Sequence, residues 1–211
     1  MSQPPESSLI YVVDDDPALR RSLRFLLESV GWNVQLFASA AEFLPVANTP
    51  LARPCCLLLD IRMPVMSGLE LQQLLQERSF AIPVLFMTGH ADVSMAVQAL
   101  KSGACDFIEK PFNDQKVLDA VSAAVRRCAD WLDNARRRDA AQKALSTLSP
   151  REQEVAQLVA LGRPNKLIAS ALDISEKTVH IHRQHIMEKA NISSAAELAR
   201  LMLRADPDAL E

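Results

Sequence analysis

The first 120 residues alternate between two patterns of hydrophobic and polar positions. Short apolar runs predict buried β-strands, and longer segments with an apolar residue every three or four positions predict helices. The predicted strands are LIYVV (9–13), NVQLF (33–37), CCLLL (55–59), PVLFMT (83–88) and DFIEK (106–110). Because helices are predicted between these strands, we expect an α/β domain with a doubly wound, five-stranded parallel sheet that is covered on both faces.

Local start and stop signals support the helices. Asp16 followed by Pro17 is typical of a helix N-cap with proline at the first helical position, and Gly31 is typical of a helix end. Ser39 with Glu42 matches a capping box. The segment DVSMAVQALKSG (92–103) predicts a further helix that stops at its glycine.

The pattern becomes entirely helical after residue 112. No glycine or proline lies between Phe112 and Ser149, which predicts a long, partly helical connector. Ser149-Pro150-Arg151-Glu152 then matches a capping box with an N1 proline, and Ser194 with Glu197 matches another. Two short helices joined by a tight turn at Asp173-Ile174 are typical of a helix-turn-helix. We predict an α/β domain at 1–124, a helical linker at 125–147 and a small all-α helix-turn-helix domain at 148–211.

The composition, 49% hydrophobic and 23% charged, is that of an ordinary globular protein. No apolar run is long enough to span a membrane, and the opening residues MSQPPESS lack the features of a secretory signal. The four cysteines are scattered, as expected of reduced thiols in a cytoplasmic protein. Acidic residues outnumber basic residues in 1–120, and basic residues outnumber acidic residues in 121–148. This is weak support for cation binding by the first part of the chain and polyanion binding by the part that follows.

Polar side chains stand where the predicted strands end. Asp14 and Asp15 follow the first strand, Asp60 ends the third, Thr88 the fourth and Lys110 the fifth. The carboxyl ends of parallel strands lie at one edge of the sheet, where ligands bind in such folds, so we expect these residues to lie together. Three carboxylates repel one another unless a cation joins them. An all-oxygen ligand set with room for water favours Mg²⁺.

This set of side chains suits phosphoryl transfer. Asp60 is a carboxylate nucleophile that can attack phosphorus and form an acyl phosphate. The transfer needs in-line positioning and neutralisation of the phosphoryl oxygens. Mg²⁺ and Lys110 would supply positive charge, and Thr88 would supply a hydrogen bond.

The motifs VVDDDP, LLLDIRMPVMSG, MTGH and DFIEKPF, in this order, resemble the receiver domain of two-component response regulators. The resemblance implies that Asp60 accepts a phosphoryl group from a sensor histidine kinase. It also implies a metal site formed by Asp14, Asp15, Asp60 and the main-chain carbonyl of Arg62. Some family members carry Asn where Arg62 stands, a change that leaves a carbonyl ligand unaffected but bears on phosphate release. A cis peptide bond is expected between Lys110 and Pro111.

A phosphatase is the enzymatic alternative. Haloacid-dehalogenase-type phosphatases also use a strand-end aspartate nucleophile, but they need a second aspartate two residues later as general acid. Arg62 occupies that position and cannot serve. We therefore predict no enzyme activity beyond self-phosphorylation and autodephosphorylation.

Residues 148–202, from LSPREQEVAQL to LARLM, resemble the LuxR-type helix-turn-helix domain. Together the two resemblances are those of the NarL/FixJ family of response regulators. They imply a phosphorylation-dependent transcription factor whose partners are double-stranded DNA and RNA polymerase. One alternative is a DNA binder that is independent of phosphorylation. The other is a phosphorelay intermediate, and the presence of the second domain argues against that one.

The helix EKTVHIHRQHIMEKA (176–190) is the candidate recognition helix. One stripe at helical spacing is expected in the core: Val179, His182, Ile186 and Ala190. The other is expected to face the major groove: Lys177, His180, Ile181 and Gln184. We expect His180 and Gln184 to reach base edges, and Lys177, Arg183 and Lys189 to contact phosphates. Family members often carry Lys in place of His180, which leaves the base preference open. A metal site at His182, His185 and Glu188 is the alternative use of the histidines.

The receiver resemblance also implies a switch. The Thr88 hydroxyl would move toward the phosphoryl group, and the Phe107 ring would turn inward. This would reshape the face formed by the helix 93–101, the strand 106–110 and the helix that starts near Asn113. There Val97, Ala104 and Val117 are expected to contact a second copy. We therefore predict a homodimer on phosphorylation that presents two recognition helices to two DNA half-sites.

Overall fold

The computed structural model describes residues 8–89 and 103–210. The chain divides into two compact units, Met1–Leu132 and Asp133–Glu211. The helix predicted at 92–103 lies outside the described residues except for Gly103, and so do His90 of the MTGH motif and Val97.

The first unit is built on a parallel sheet of five strands in the order β2-β1-β3-β4-β5. The predicted fold class is confirmed. The strands are β1 (Leu9–Val13), β2 (Asn33–Phe37), β3 (Cys55–Asp60), β4 (Val84–Thr88) and β5 (Asp106–Glu109). The helices between these strands are α1 (Pro17–Ser29), α2 (Ala40–Phe43), a 3₁₀ turn (Val46–Asn48) and α3 (Gly68–Glu77).

Strand β3 is the centre of the unit, and all six of its residues are buried. Successive side chains of a strand point to opposite faces of the sheet. Cys55, Leu57 and Leu59 therefore lie in one apolar core, and Cys56 and Leu58 lie in the other. Each fully buried leucine stabilises the fold by about 1.5–3 kcal/mol. The wholly apolar run CCLLL is thus explained by a strand that is covered on both sides.

Side-chain caps begin the helices largely as predicted. The Asp16 carboxylate accepts a hydrogen bond of 2.7 Å from the Ala18 N–H at the start of α1, and Gly31 follows the helix with φ +90°. Ser39 accepts from the Glu42 N–H, but the Glu42 carboxylate accepts from the Ala38 N–H instead of the Ser39 N–H. The second half of the predicted capping box at Ser39 is therefore wrong.

Helix α4 (Asp114–Ser146) is 33 residues long. Its first turns pack Val117, Val121 and Val125 into one core of the sheet, and Cys128 and Leu132 join the other core. Val117 is fully buried. The expectation that Val117 contacts a second copy of the chain is therefore wrong, because this side chain packs against the sheet.

The second unit contains, after the end of α4, helices α5 (Pro150–Ala160), α6 (Asn165–Leu172), α7 (Glu176–Ala190) and α8 (Ala195–Ala205). Their apolar faces form a separate core that includes Val155, Ile168, Val179, Ile186 and Leu198. The predicted capping box between Ser149 and Glu152 is confirmed.

Two turns fix the entries into α7 and α8. Asp173 has φ +53° and ends α6 in the left-handed region, which allows the tight turn before α7. Ser194 accepts from the Glu197 N–H at the start of α8. The Glu197 carboxylate accepts from Ser193 and not from Ser194, so the second half of that predicted box is also wrong.

Across residues 8–89 and 103–210, none of the helices combines the length and apolar character that a membrane span needs.

The start of α3 lies directly against the end of β3. A Cβ atom at Gly68 would overlap the carbonyl oxygen of Asp60 and lie 3.0 Å from Cγ of Leu59. The clash is with strand backbone, which cannot rotate away. We expect Gly68→Ala to lower the free energy of unfolding by about 1–3 kcal/mol or more, as overpacking does. Urea denaturation measures this change.

Gly89→Ala is the matched control for this prediction. Among the described residues, a Cβ atom at Gly89 meets nothing within 4 Å. Its urea midpoint should stay close to that of the unaltered protein. Equal stability of Gly68→Ala and the unaltered protein would contradict the close approach of α3 and β3.

Candidate functional site

The sheet register brings the polar strand ends to one edge. Val13 pairs with Leu59 and Asp60 pairs with Met87, so Asp14, Asp60 and Thr88 follow one another across β1, β3 and β4. Thr88 pairs with Glu109 on β5, and Lys110 comes next. The edge lies at the carboxyl ends of all four strands, where ligands bind in doubly wound sheets.

Lys110 joins two of the carboxylates directly. Its Nζ donates to Oδ2 of Asp14 at 2.8 Å and to Oδ1 of Asp60 at 2.7 Å. The Asp14 and Asp60 side chains are buried, with 1% and 9% of their surface exposed. Asp15 is exposed. One ammonium group thus faces two buried carboxylates and a third carboxylate nearby, so the site carries an excess of negative charge.

This charge balance shifts two pKa values. Burial raises the pKa of Asp60, and the Asp14 and Asp15 carboxylates raise it further, which together outweigh the opposing effect of Lys110. Burial alone would lower the pKa of Lys110. Its hydrogen bonds to Asp14 and Asp60 outweigh that effect and raise it. Lys110 therefore stays protonated, and Asp60 is ionised at a cost.

The carboxylates are compatible with a divalent cation. One oxygen from each of Asp14, Asp15 and Asp60 lies within 4.8 Å of the other two. Ligands on opposite sides of Mg²⁺ lie about 4.2 Å apart, because each Mg–O distance is about 2.1 Å. Small side-chain rotations would bring the three oxygens into this range. Lys110 bonds Oδ2 of Asp14 and Oδ1 of Asp60, and each ionised carboxylate has about four acceptor positions.

The other predicted site residues lie around this edge in different environments. Thr88 is buried, and its hydroxyl donates to the carbonyl oxygen of Gly89 at 3.2 Å. Phe107 on β5 is 39% exposed, so its ring lies at the surface. Arg62 is exposed two residues beyond β3. The expected cis peptide bond between Lys110 and Pro111 is present.

One contact of the site has no signal in the sequence. Nη1 of Arg20 on α1 donates to the carbonyl oxygen of Asp14 at 2.5 Å. The Asp16 N–H donates to Oδ1 of Asp14 at 2.8 Å. Both bonds hold the loop after β1, so Asp14 is fixed from its backbone as well as its side chain.

Helix α7 presents one stripe of its residues to solvent. Lys177, His180, Ile181 and Gln184 are all exposed. Val179, Ile186 and Ala190 are buried in the core of the second unit, as expected. His182 is half-buried, and in the part of the chain described here its buried Nδ1 makes no hydrogen bond.

Two basic residues of α7 are held by other helices. Arg183 donates to Oδ1 of Asn165 on α6 at 3.2 Å. Lys189 donates to both carboxylate oxygens of Glu152 on α5, at 2.9 and 2.7 Å. Glu152 is buried, and the hydrogen bond from Lys189 with those from Ser149 lowers the pKa of Glu152 to about 2. The Lys189–Glu152 pair joins positions 37 apart in the chain, and no local pattern predicts it.

The histidine-rich stretch of α7 forms no metal cluster like the one at the sheet edge. Nδ1 of His185 lies 3.8 Å from Oε1 of Glu152, which Lys189 already neutralises. Within residues 8–89 and 103–210, Asp14, Asp15 and Asp60 form the only group of three potential ligands that lie mutually close.

The sequence matches two known families over most of its length. Residues 10–122 match the response regulator receiver domain, and residues 146–202 match the bacterial regulatory proteins of the luxR family. The chain is a response regulator of the NarL/FixJ family. It is 43% identical over 205 residues to the response regulator protein TodT of Pseudomonas putida, covering 97% of this chain and 89% of TodT. It is 45% identical to the transcriptional regulatory protein FixJ of Azorhizobium caulinodans, covering 95% and 94%.

A solved structure agrees with this assignment. The response regulator StyR superposes with a TM-score of 0.82 at 42% identity, covering 92% of this response regulator and 97% of StyR. The receiver domain implies a histidine kinase as phosphodonor, and the luxR-type domain implies DNA as a partner.

The raised pKa of Asp60 predicts that its charge destabilises the folded receiver. A carboxyl with a higher pKa in the folded state binds protons more tightly there, so stability falls as pH rises from the ordinary aspartate range through the raised value. Asp60→Asn should therefore be more stable than the unaltered response regulator at neutral pH in chelator, by on the order of 1 kcal/mol. The difference should shrink as the pH falls toward the ordinary aspartate range.

Urea denaturation at several pH values measures this difference. Asp15→Asn is the control, because Asp15 is exposed and should give a smaller gain. The measured quantity is the gain in stability of Asp60→Asn over the unaltered chain. A gain that is smaller at neutral pH than at acidic pH would contradict the expected sign.

Proposed function

We propose that Asp60 accepts the phosphoryl group that a sensor histidine kinase donates to this response regulator. One observation carries the proposal: Asp60 ends the central strand with its carboxylate bonded to Lys110 and close to Asp14 and Asp15. The carboxylate oxygen attacks phosphorus, the bond from phosphorus to the donor nitrogen breaks, and the electron pair leaves with that nitrogen. The product is an acyl phosphate on Asp60.

Asp14, Asp15, Asp60 and the main-chain carbonyl of Arg62 would hold Mg²⁺ at this site. When bound, the ion supplies positive charge to the phosphoryl oxygens and lowers the repulsion between the carboxylates. Lys110 adds a second positive charge from the β5 side. Thr88 supplies a hydrogen bond when its hydroxyl turns from the Gly89 carbonyl to a phosphoryl oxygen.

We propose that α7 reads DNA from the major groove. His180 and Gln184 contact base edges, and Ile181 supplies an apolar contact. Lys177 and Arg183 contact phosphates. The support for these roles is the exposure of Lys177, His180, Ile181 and Gln184. Lys189 has a different main role. Its ion pair with the buried Glu152 carboxylate holds the end of α7. If Lys189 also contacts a DNA phosphate, its ammonium group binds the phosphate and the Glu152 carboxylate at the same time.

The receiver extends, in this proposal, beyond the expected boundary at residue 124. Cys128 and Leu132 of α4 pack in the same core as Cys55 and Leu59, so the receiver continues to Leu132. The rest of α4 up to Ser146 is the helical linker to the DNA-binding domain, which begins near Leu148.

We propose that phosphorylation promotes a homodimer through the face around β5. The exposed Phe107 borders a surface cavity of about 670 Å³ between β5 and the start of α4. The lining also includes Pro111, Phe112 and Lys116. Inward rotation of Phe107 would change this surface, and a two-fold dimer would align two recognition helices on DNA. RNA polymerase is then the expected partner at the promoter, and the cytoplasm the place of action.

Phosphorylation should require Asp60 and a divalent cation. Incubation with a small phosphodonor and Mg²⁺ should add one phosphoryl group, seen by intact mass. Asp60→Asn and excess chelator should each abolish the label, because the nucleophile or its neutralising charge is lost. Asp15→Asn should weaken labelling without removing the acceptor. Labelling of Asp60→Asn would contradict the assignment.

The same labelled sample tests the dimer by sedimentation. The phosphorylated protein should associate at lower concentration than the unphosphorylated protein, and Thr88→Ala should reduce the difference. Identical association curves would exclude this switch and leave a DNA binder that does not depend on phosphorylation.

Variants of α7 should separate base contacts from phosphate contacts. Gln184→Ala should lose about 1–3 kcal/mol of discrimination between specific and random duplexes. Lys177→Ala should weaken both duplexes equally and flatten the salt dependence. Fluorescence anisotropy over a salt series measures both. Equal weakening of the two duplexes by Gln184→Ala would contradict its role in base reading.

A further inference from the structure

Two cysteines of the receiver face each other in its core. Sγ of Cys55 lies 3.9 Å from Sγ of Cys128, and both residues are 1% exposed. Cys55 is the first residue of β3, and Cys128 lies on α4. Neither thiol takes part in phosphoryl transfer, because Asp60 is at the opposite end of β3.

A cleft gives small molecules a route to this pair. Cys128 is part of the wall of a cavity of about 480 Å³ that lies between α3, the start of β4 and α4. Trp131, Arg127 and Cys105 also line the cavity, and Trp131 is 48% exposed at its rim. Cys55 is not part of the wall and lies behind Cys128, so an oxidant meets Cys128 first.

We propose that Cys55 and Cys128 are an oxidisable thiol pair, which a small hydroperoxide converts to an intramolecular disulfide in the folded receiver. A disulfide has an S–S distance of about 2.05 Å, so the two sulfur atoms have to approach by about 2 Å. Rotation of the two side chains, with a small shift of α4 against β3 where needed, has to supply this approach. Cysteine pairs that are oxidised in reducing compartments are usually transient and sense redox conditions.

The reaction balances with hydrogen peroxide as oxidant. Cys128 loses its proton, and its thiolate attacks one peroxide oxygen. The O–O bond breaks, and the leaving hydroxide takes up the proton that Cys128 lost to form water. The product is a sulfenic acid on Cys128. The Cys55 sulfur then attacks Sγ of Cys128, the S–O bond breaks, and the Cys55 proton leaves with hydroxide as a second water. Two thiols are oxidised, and one peroxide is reduced.

Access to the cavity assigns the two roles, and the electrostatics agree with it. The hydrogen bond between the two sulfur atoms lowers the pKa of Cys128, against the effect of burial. The same bond, together with burial, raises the pKa of Cys55. Tyr11, Cys56 and Arg53 are the other titratable groups around the pair. Cys128 lines the cavity and Cys55 does not, so Cys128 is the thiol that an oxidant reaches and Cys55 is the resolving thiol.

The disulfide would tie the central strand to the helix that continues out of the receiver. It closes a long loop between positions 55 and 128, which restricts the unfolded chain strongly. We expect the midpoint of thermal unfolding of the receiver to rise by roughly 5–15 °C. This proposal does not depend on phosphorylation at Asp60.

The experiment treats the full chain with hydrogen peroxide in slight excess and then blocks free thiols with iodoacetamide. Intact mass should fall by two hydrogens before blocking, two thiols should remain for alkylation, and a peptide map should link Cys55 to Cys128. Dithiothreitol should reverse the change. The thermal midpoint should rise on oxidation and return on reduction.

Cys56→Ser is the matched control, because Cys56 is adjacent and equally buried but faces the other core. It should form the disulfide as the unaltered chain does, whereas Cys128→Ser should not. The map of the unaltered protein remains decisive if a serine variant fails to fold. A link between Cys105 and Cys128, irreversible oxidation without a link, or a link that forms only in denaturant would overturn the proposal.

Discussion

The receiver depends on one ammonium group shared by two buried carboxylates. Asp14 and Asp60 lie on adjacent strands of a parallel sheet, whose geometry forces the ends of both strands to the same edge. Without Lys110 the two charges would repel each other in a poorly hydrated place, and losing the lysine would leave both carboxylates uncompensated, which typically costs about 3–5 kcal/mol. Even with Lys110, burial and the neighbouring acids keep the pKa of Asp60 raised. The site therefore favours any group that adds positive charge, which is the property a metal-assisted phosphoacceptor needs.

Much of this arrangement could be predicted from residue patterns. The apolar runs of β1, β3 and β4 marked strands that are covered on both sides and so have no polar alternation, and Pro17, Gly31 and Ser149 marked helix ends through local backbone chemistry. The polar residues at the ends of the first, third, fourth and fifth strands then indicated the edge of the sheet. What could not be predicted depends on distant packing. The Lys189–Glu152 pair joins two helices far apart in sequence, and the bonds of Glu42 and Glu197 shift by one residue according to the local path of the chain.

Glu152 shows how one side chain can serve two levels of structure. Its carboxylate accepts the Ser149 N–H and so caps the start of α5, and it also binds Lys189 near the end of α7. The capping-box glutamate thus links α7 to α5 as well as capping the start of its own helix. The carboxylate is buried, so an unpaired charge there would be costly. This explains why Lys189, a partly exposed lysine that looks suited to a DNA phosphate, pairs with Glu152.

Strand β3 limits how a change at Asp60 can reach the rest of the receiver. Its side chains are buried on both faces of the sheet, and close-packed cores resist continuous deformation. Cys55, the first residue of β3, lies about 16 Å along the strand from Asp60, because each strand residue adds about 3.3 Å. A new charge on Asp60 therefore has little freedom to act along the strand or through either core. Across the edge lie the Thr88 hydroxyl, which can turn, and the partly exposed Phe107 ring, and in our proposal the path from phosphorylation to the receiver surface runs through them.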